Sequence, residues 1–450
     1  MISARSLFYF DSYQFDAATK TASFVYRYDD EVVLTETLRF ETSGNNWNTP
    51  AFDRLLFSLH IALGMSYWKA YCPKEIVVNS GTLSPTDAAF WEAVYTKGLG
   101  EFFYHNQIDF HELVHFPSTE TASNVAPQAE VAISADALVP LGGGKDSLTT
   151  VTLLERAGIA FETVSLGQYD VIEQQVTLLG SVHHRVHRVI DPALFALNSA
   201  GAYNGHVPIS VIYAFSSLAI AVLNNKTDVV LSNEASANEG NVSYLGVEVN
   251  HQWSKSVEFE DMLSAYLAEH EIPVRYFSLL RPLHEIQIVD VFTQSIERFR
   301  GVFTSCNRNF TQTQRTKEVG AFAYWCGECP KCLFVGTMLA ASISREQLIE
   351  IIGTNPLNNA INRDWFLELL GVSLFKPFEC VGTPDEMIVA LERIRTEPAY
   401  ANDLLVVEYN QLRDQLPVED AVKALAHIGD TSRIPAAFQD CIEQMNTSIL

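Results

Sequence analysis

Three glycines followed by lysine, aspartate and serine, Leu141-Gly142-Gly143-Gly144-Lys145-Asp146-Ser147, constrain this chain more than any other stretch. The residues before them, 131–141, are largely apolar and read as a strand. Those after them, 148–156, are spaced as a helix that stops at Gly158. Glycine permits a tight turn and a close approach to a ligand. The free N–H groups of a helix's first turn, backed by the positive end of its dipole, then face whatever sits in the turn. That geometry binds phosphate. The spacing is not a Walker loop, because Asp146 follows the lysine and Val139 stands where that loop has its first glycine. Nor is it the dinucleotide fingerprint, whose sixth position is glycine where this chain has Ser147.

Beyond the turn, strand and helix patterns alternate. Strands are expected at 161–166, 187–190 and 228–231, with helices at 171–179 and 207–223. Such alternation gives parallel βαβ units, so the expected class is α/β with a doubly wound parallel sheet. Ligands of such sheets bind beyond the carboxyl ends of the strands. That rule selects 142–147, the 165–168 turn with Leu166 and Gly167, and the 232–239 loop with Asn233, Glu234 and Glu239. Two carboxylates and two amides in the last loop suit Mg²⁺ or a polar substrate, and equally suit a solvated, helix-capping loop. Asp146 is a second candidate Mg²⁺ ligand. His251 and Lys255 lie in the polar 249–256 segment, which also reads as a capped helix start. His206, before the long apolar helix, is a further candidate base or a solvent-facing helix-start residue.

Residues 1 to about 125 read as a β-rich N-terminal domain, with an antiparallel meander over 6–40 and helices at 50–71 and 88–97. No chemistry is expected there: Trp68, Tyr71, Trp91 and His60 read as packed core. Residues 116–128 read as a linker, 129–340 as the α/β domain and 341–450 as a helical region. A net charge of −24 opposes nucleic-acid binding, which rests on Lys and Arg contacts to phosphate. The N-terminus lacks the pattern of a signal peptide and 207–223 falls short of a membrane span, so a cytoplasmic protein without a membrane partner is expected. The oligomeric state is not legible.

Cys326-x2-Cys329-x2-Cys332, with Cys306 upstream, brings four thiols together. Four thiolates suit a structural Zn²⁺, and an iron–sulfur cluster is the rival. Cys72, Cys380 and Cys441 read as partnerless buried thiols. Arg300, Arg308, Arg315 and Lys317 flank the cluster and could meet an anion.

The glycine turn resembles the SGGxDS loop of the PP-loop ATP pyrophosphatases, with Gly142 in place of the first serine. The turn and the CxxCxxC run together are shared with 7-cyano-7-deazaguanine synthase, an amide- and nitrile-forming family about half this length. The whole-length pattern, with the Ser232-Asn233-Glu234 and Asn250-His251-Gln252-Trp253-Ser254-Lys255 segments, more closely resembles the UDP-N-acetylmuramoyl-L-alanyl-L-glutamate epimerase (MurL) family. That resemblance implies a PP-loop, adenine nucleotide α-hydrolase-like sheet and a UDP-muramyl dipeptide as substrate. It implies ATP-driven adenylation of the terminal glutamate, inversion at its α-carbon and release of AMP. Gly142, Gly143, Gly144, Lys145, Asp146 and Ser147 would hold the phosphates. Lys145, His206, Glu234, His251 and Lys255 are the candidates for the chemistry.

Overall fold

A computed structural model describes residues 5–120, 136–309, 324–373 and 376–449. The strands are β1 (Leu7–Asp16), β2 (Thr21–Tyr28), β3 (Val32–Glu41), β4 (Glu75–Val78), β5 (Ala137–Pro140), β6 (Phe161–Leu166), β7 (His183–Val189), β8 (Asp228–Leu231), β9 (Val242–Tyr244), β10 (Val247–Val249) and β11 (Arg275–Ser278). Nine of them form one sheet in the order β11-β8-β5-β6-β7-β3-β2-β1-β4, while β9 and β10 make a separate hairpin. From β11 to β7 the neighbours are parallel. The meander β1–β2–β3 is antiparallel, as the alternation of apolar and polar residues predicts.

The N-terminal strands do not stand apart. β3 pairs antiparallel with β7, from Thr37 opposite Val189 to Glu41 opposite Arg185, so the meander extends the parallel sheet. Phe8, Phe10, Tyr26 and Leu38 belong to the same core as Leu138, Val164 and Val229. The β7 strand starts at His183, earlier than the expected 187, and its N-terminal His-His-Arg hides it from an apolarity reading. The strand leading into the glycine turn is described from Ala137; 131–135, 121–128 of the expected linker, and Arg315 and Lys317 lie outside the described residues.

Each face of the parallel strands carries a buried helix. Ile209–Leu223 is apolar on nearly every side and packs with Pro50–Trp68 in the main core. The start of the latter is fixed by Pro50 and by Thr49, whose Oγ1 accepts the Phe52 N–H at 3.2 Å. Lys145–Arg156 lies in a second core, where Val151, Leu153 and Leu154 meet Val230, Phe277, Ile288, Phe438 and Cys441. The helical C-terminal region thus packs onto the sheet through Phe438 and Cys441. Trp68, Trp91 and His60 are fully buried, as expected of core residues.

Strand order reverses at β5: the chain runs outward through β6 and β7, then returns to place β8 on the other side. The carboxyl ends of β5 and β8 therefore flank the crevice where such sheets take ligands.

Candidate active site

The turn after β5 is open. Gly142 is exposed, and a Cβ built there would meet nothing within 4 Å. At Gly144 the nearest atom would be the Thr304 carbonyl oxygen at 3.6 Å. Gly143 has φ +82°, a conformation costly for any other residue, and its carbonyl accepts from Gln175 Nε2 at 2.9 Å and Thr304 N at 3.0 Å. Gly144 caps the Lys145–Arg156 helix with no side-chain hydrogen bond, which leaves the first-turn amides for a ligand. Ser147 Oγ turns back to the Gly144 carbonyl at 3.4 Å.

Lys145 is fully buried and its ammonium donates to Asp146 and Glu285. Lys331 stands 4.0 Å from the other Glu285 oxygen. Burial opposes the charge on Lys145, but its two carboxylates win and hold the ammonium above its ordinary range. Burial likewise opposes the charge on Asp146, and Lys145, Lys331 and Lys255 bring its carboxyl below the usual range. Glu285, more deeply enclosed, is raised by burial. Sequence reading missed Glu285 because it opens the Glu285–Thr293 helix far from the turn and carries no motif.

The loop after β8 is tied to its surroundings. Asn233 donates its N–H to Ser278 Oγ at 2.7 Å, and Ser232 pairs with Thr150 at 2.8 Å. Glu234 is buried, and its charge acts on Lys255 and Glu285. Arg281, also missed, donates to the Glu234 carbonyl at 2.8 Å, the Lys255 carbonyl at 2.6 Å and Glu260 at 3.0 Å. It thereby fixes the two loops that sequence reading selected. Leu166 and Gly167 lie one strand over, where Gly167 (φ +85°) donates to the Val186 carbonyl at 2.8 Å.

His206 does not face solvent. It and His251 each direct Nδ1 at the same Glu101 oxygen, His206 at 3.0 Å. Burial, then the charge of His251, pushes His206 down to about 3, so it is neutral. His251 is opposite in sense: burial opposes its charge, but Cys380 and Glu101 raise it to about 10. Its Nε2 lies 3.5 Å from Cys380 Sγ, and Lys255 Nζ lies 3.5 Å from the same sulfur. Cys380 is therefore not a partnerless buried thiol. It is partly exposed; burial raises it, but Lys255 and His251 outweigh that and bring it to about 5. Glu101, from the N-terminal region where no chemistry is expected, is the carboxylate that both histidines meet. Cys441 is a buried thiol and Cys72 a partly buried one. Arg300 is a surface residue paired with Glu297 and Glu350, and Arg308 lines a cavity of about 520 Å³ with Asn307, Cys329, Phe378 and Glu379.

The sulfurs of Cys306, Cys326, Cys329 and Cys332 lie within 4.8 Å of one another. Cys326 and Cys332 are 3.7 Å apart. Two thiolates of one tetrahedral zinc, with bonds of about 2.3 Å, stand about 3.8 Å apart. In a cubane cluster each thiolate has its own iron and stands farther from the others. Cys329 caps the Pro330–Ala340 helix, its sulfur accepting the Cys332 N–H at 3.4 Å.

The sheet, the open glycine turn at its switch point and the buried ionisable cluster beside it define a mixed α/β protein with a candidate site at the carboxyl ends of its parallel strands. Comparison with known proteins narrows this. The family model described as the MurL N-terminal domain matches residues 2–279, and that of the MurL C-terminal domain matches 302–424. A protein of Micromonospora sp. is 38% identical over 93% of this chain and 90% of its own length. One from Xanthomonas oryzae pv. oryzae is 36% identical over 96% of both chains, and one from Salinispora tropica is 35% identical over 97% and 95%. All three are named UDP-N-acetyl-alpha-D-muramoyl-L-alanyl-L-glutamate epimerase. The chain belongs to the MurL epimerase family.

Proposed function

We propose that this chain inverts the terminal L-glutamate of UDP-N-acetylmuramoyl-L-alanyl-L-glutamate to D-glutamate, with ATP as co-substrate, for peptidoglycan synthesis in the cytoplasm. The match to proteins named for this reaction, at 35% identity or more along nearly the whole chain, carries the reading. The site supports it. Among the described residues no helix is long and apolar enough to cross a membrane.

Removing the α-proton beside a free carboxylate would place a second negative charge on one group. ATP would supply the remedy: the carboxylate takes the AMP group as pyrophosphate leaves, the resulting mixed anhydride lacks the carboxylate's charge while the proton leaves, and water then cleaves it to release AMP. The chain's part is to hold and to polarise. The open turn, its uncapped amides and Lys145 would take the phosphates, in the manner of a PP-loop. Asp146, ionised and partly exposed, would hold Mg²⁺ alongside them. Lys255, charged and between Asp146 and Cys380, is placed to offset negative charge developing on the activated carboxyl group. The four clustered thiols would hold a structural Zn²⁺ that braces the segment carrying Lys331.

The test supplies purified protein with ATP, Mg²⁺ and the L-Glu substrate in D₂O. Appearance of AMP together with deuterium at the glutamate α-carbon is expected. ATP cleavage that requires ammonia, without α-exchange, would instead indicate an amide- or nitrile-forming ligase.

A further inference from the structure

Among the described residues Cys380 is the one thiol outside the four-cysteine cluster that meets both an imidazole and an ammonium. Its sulfur lies 3.5 Å from His251 Nε2 and 3.5 Å from Lys255 Nζ. On the far side of the imidazole, His251 Nδ1 is bonded to Glu101. Glu101, His251 and Cys380 thus form a relay of carboxylate, imidazole and thiol, assembled from residues 150 and 129 positions apart. The backbone around them is pinned. Asn241 donates to the Pro377 carbonyl at 2.8 Å, Gln252 to the Val381 carbonyl at 3.4 Å, and Asn241 Oδ1 accepts the His251 N–H at 2.8 Å. One loop therefore positions both the imidazole and the segment that bears the thiol. The two residues before Cys380, Phe378 and Glu379, line the 520 Å³ cavity, and Cys380 itself is partly exposed.

We infer that Cys380, paired with His251 and held by Glu101, is the group that removes or returns the glutamate α-proton on one face of the substrate. This assignment rests on the epimerase reading above and supplies the base that reading lacks. Burial alone would keep the thiol protonated, but the adjacent cations bring it to about 5, so it is a thiolate at neutral pH. Lys255 joins the two halves of the site, since its charge acts on both Cys380 and Asp146 of the phosphate turn. A carboxyl carbon and its α-carbon are bonded neighbours, so a base for one must sit close to the group that activates the other.

The step balances. The α-C–H bond breaks, its proton forms an S–H bond at Cys380, and the C–H electron pair moves into the activated carboxyl group as an enolate. The proton that completes inversion comes from water-equilibrated acid on the opposite face. In the reverse direction the Cys380 thiol is the donor. His251, already protonated against Glu101, is the positioning partner that holds the sulfur ionised and returns it to that state by exchange with solvent.

The test compares wild type, Cys380→Ser and His251→Gln in full-length protein supplied with the L-Glu substrate, ATP and Mg²⁺ in D₂O. α-Deuterium incorporation is expected to fall by about a hundredfold or more in Cys380→Ser while AMP formation persists. A second readout needs no catalysis: iodoacetamide alkylation at pH 7, mapped to residue 380 by mass spectrometry, is expected to be fast in wild type and about tenfold slower in His251→Gln. Cys380→Ser exchanging at the wild-type rate, in an enzyme that still inverts glutamate, overturns the assignment and leaves the epimerase reading intact. A wild type that inverts nothing overturns both. A metal ion bound by Glu101, His206 and His251, detected as a second equivalent of metal lost in His206→Asn, also overturns it, because His251 would then be a ligand and not a proton partner.

Discussion

Replacing Arg281 by methionine separates what this residue does for stability from what it does for the site. Arg281 is 5% exposed and its partner Glu260 is 4% exposed. Its guanidinium donates to Glu260 at 3.0 Å and to the Glu234 and Lys255 carbonyls at 2.8 and 2.6 Å. Methionine matches the bulk but leaves the Glu260 carboxylate enclosed without its cation, at a cost of about 3–5 kcal/mol. With an unfolding entropy of about 2.1 cal/mol/K per residue, a chain of 450 residues melting as one unit shifts by about 3–5 °C. Adding Glu260→Gln removes the stranded charge, and the double variant should recover half or more of the lost Tm. Activity should not follow. The two carbonyl bonds register the loops bearing Glu234 and Lys255, and a displacement near 1 Å costs about a hundredfold in rate. Calorimetry and the AMP-release assay on both variants check this. A double variant that regains full activity along with its Tm would refute the positioning role. An unchanged Tm in Arg281→Met would refute the buried pair.

Three further outcomes are expected. Gly142→Ala should fold with wild-type Tm, because its Cβ enters open space, yet weaken ATP binding; Gly143→Ala, at φ +82°, should also lose about 1–2 kcal/mol of stability. Equal ATP affinity in Gly142→Ala and wild type would remove the turn from the phosphate site. His60 is buried and held at about 4, against about 6.5 when unfolded, so its contribution is complete above pH 6.5 and is lost as pH falls towards 4. The stability gap between wild type and His60→Gln should therefore shrink by about 2 kcal/mol from pH 7 to pH 5, and a constant gap in denaturant titrations would contradict it. Elemental analysis should find about one zinc per chain, lost with a lowered Tm in Cys332→Ser, whose sulfur is fully buried; iron in its place would overturn the single-ion reading.

What could be read from the sequence was what is local. The glycine turn, the apolar Asp228–Leu231 strand and the CxxCxxC run each carry their meaning within a dozen residues, and the structure assembles them as a strand-to-helix turn, a buried strand and a sulfur cluster. The strands β4 and β11 were missed because each has four residues, and Glu75, Arg275 and Ser278 interrupt the apolar signal. Glu101 has no local signature at all; it gains meaning only where the short Gly100–Asn106 helix meets two histidines from distant segments. Cys380 looked solitary for the same reason, since His251 and Lys255 precede it by more than a hundred residues. His206 shows the converse. Its position before a helix left open a candidate base or a solvent-facing residue; the fold buries it beside His251, which rules out the solvent-facing alternative and favours the neutral imidazole.

Chiral analysis of the glutamate tests the central claim most directly. After incubation of the protein with ATP, Mg²⁺ and UDP-N-acetylmuramoyl-L-alanyl-L-glutamate, acid hydrolysis should release D-glutamate, with AMP formed in the same reaction and none of either without ATP. Glutamate that remains wholly L while ATP is consumed would contradict the account.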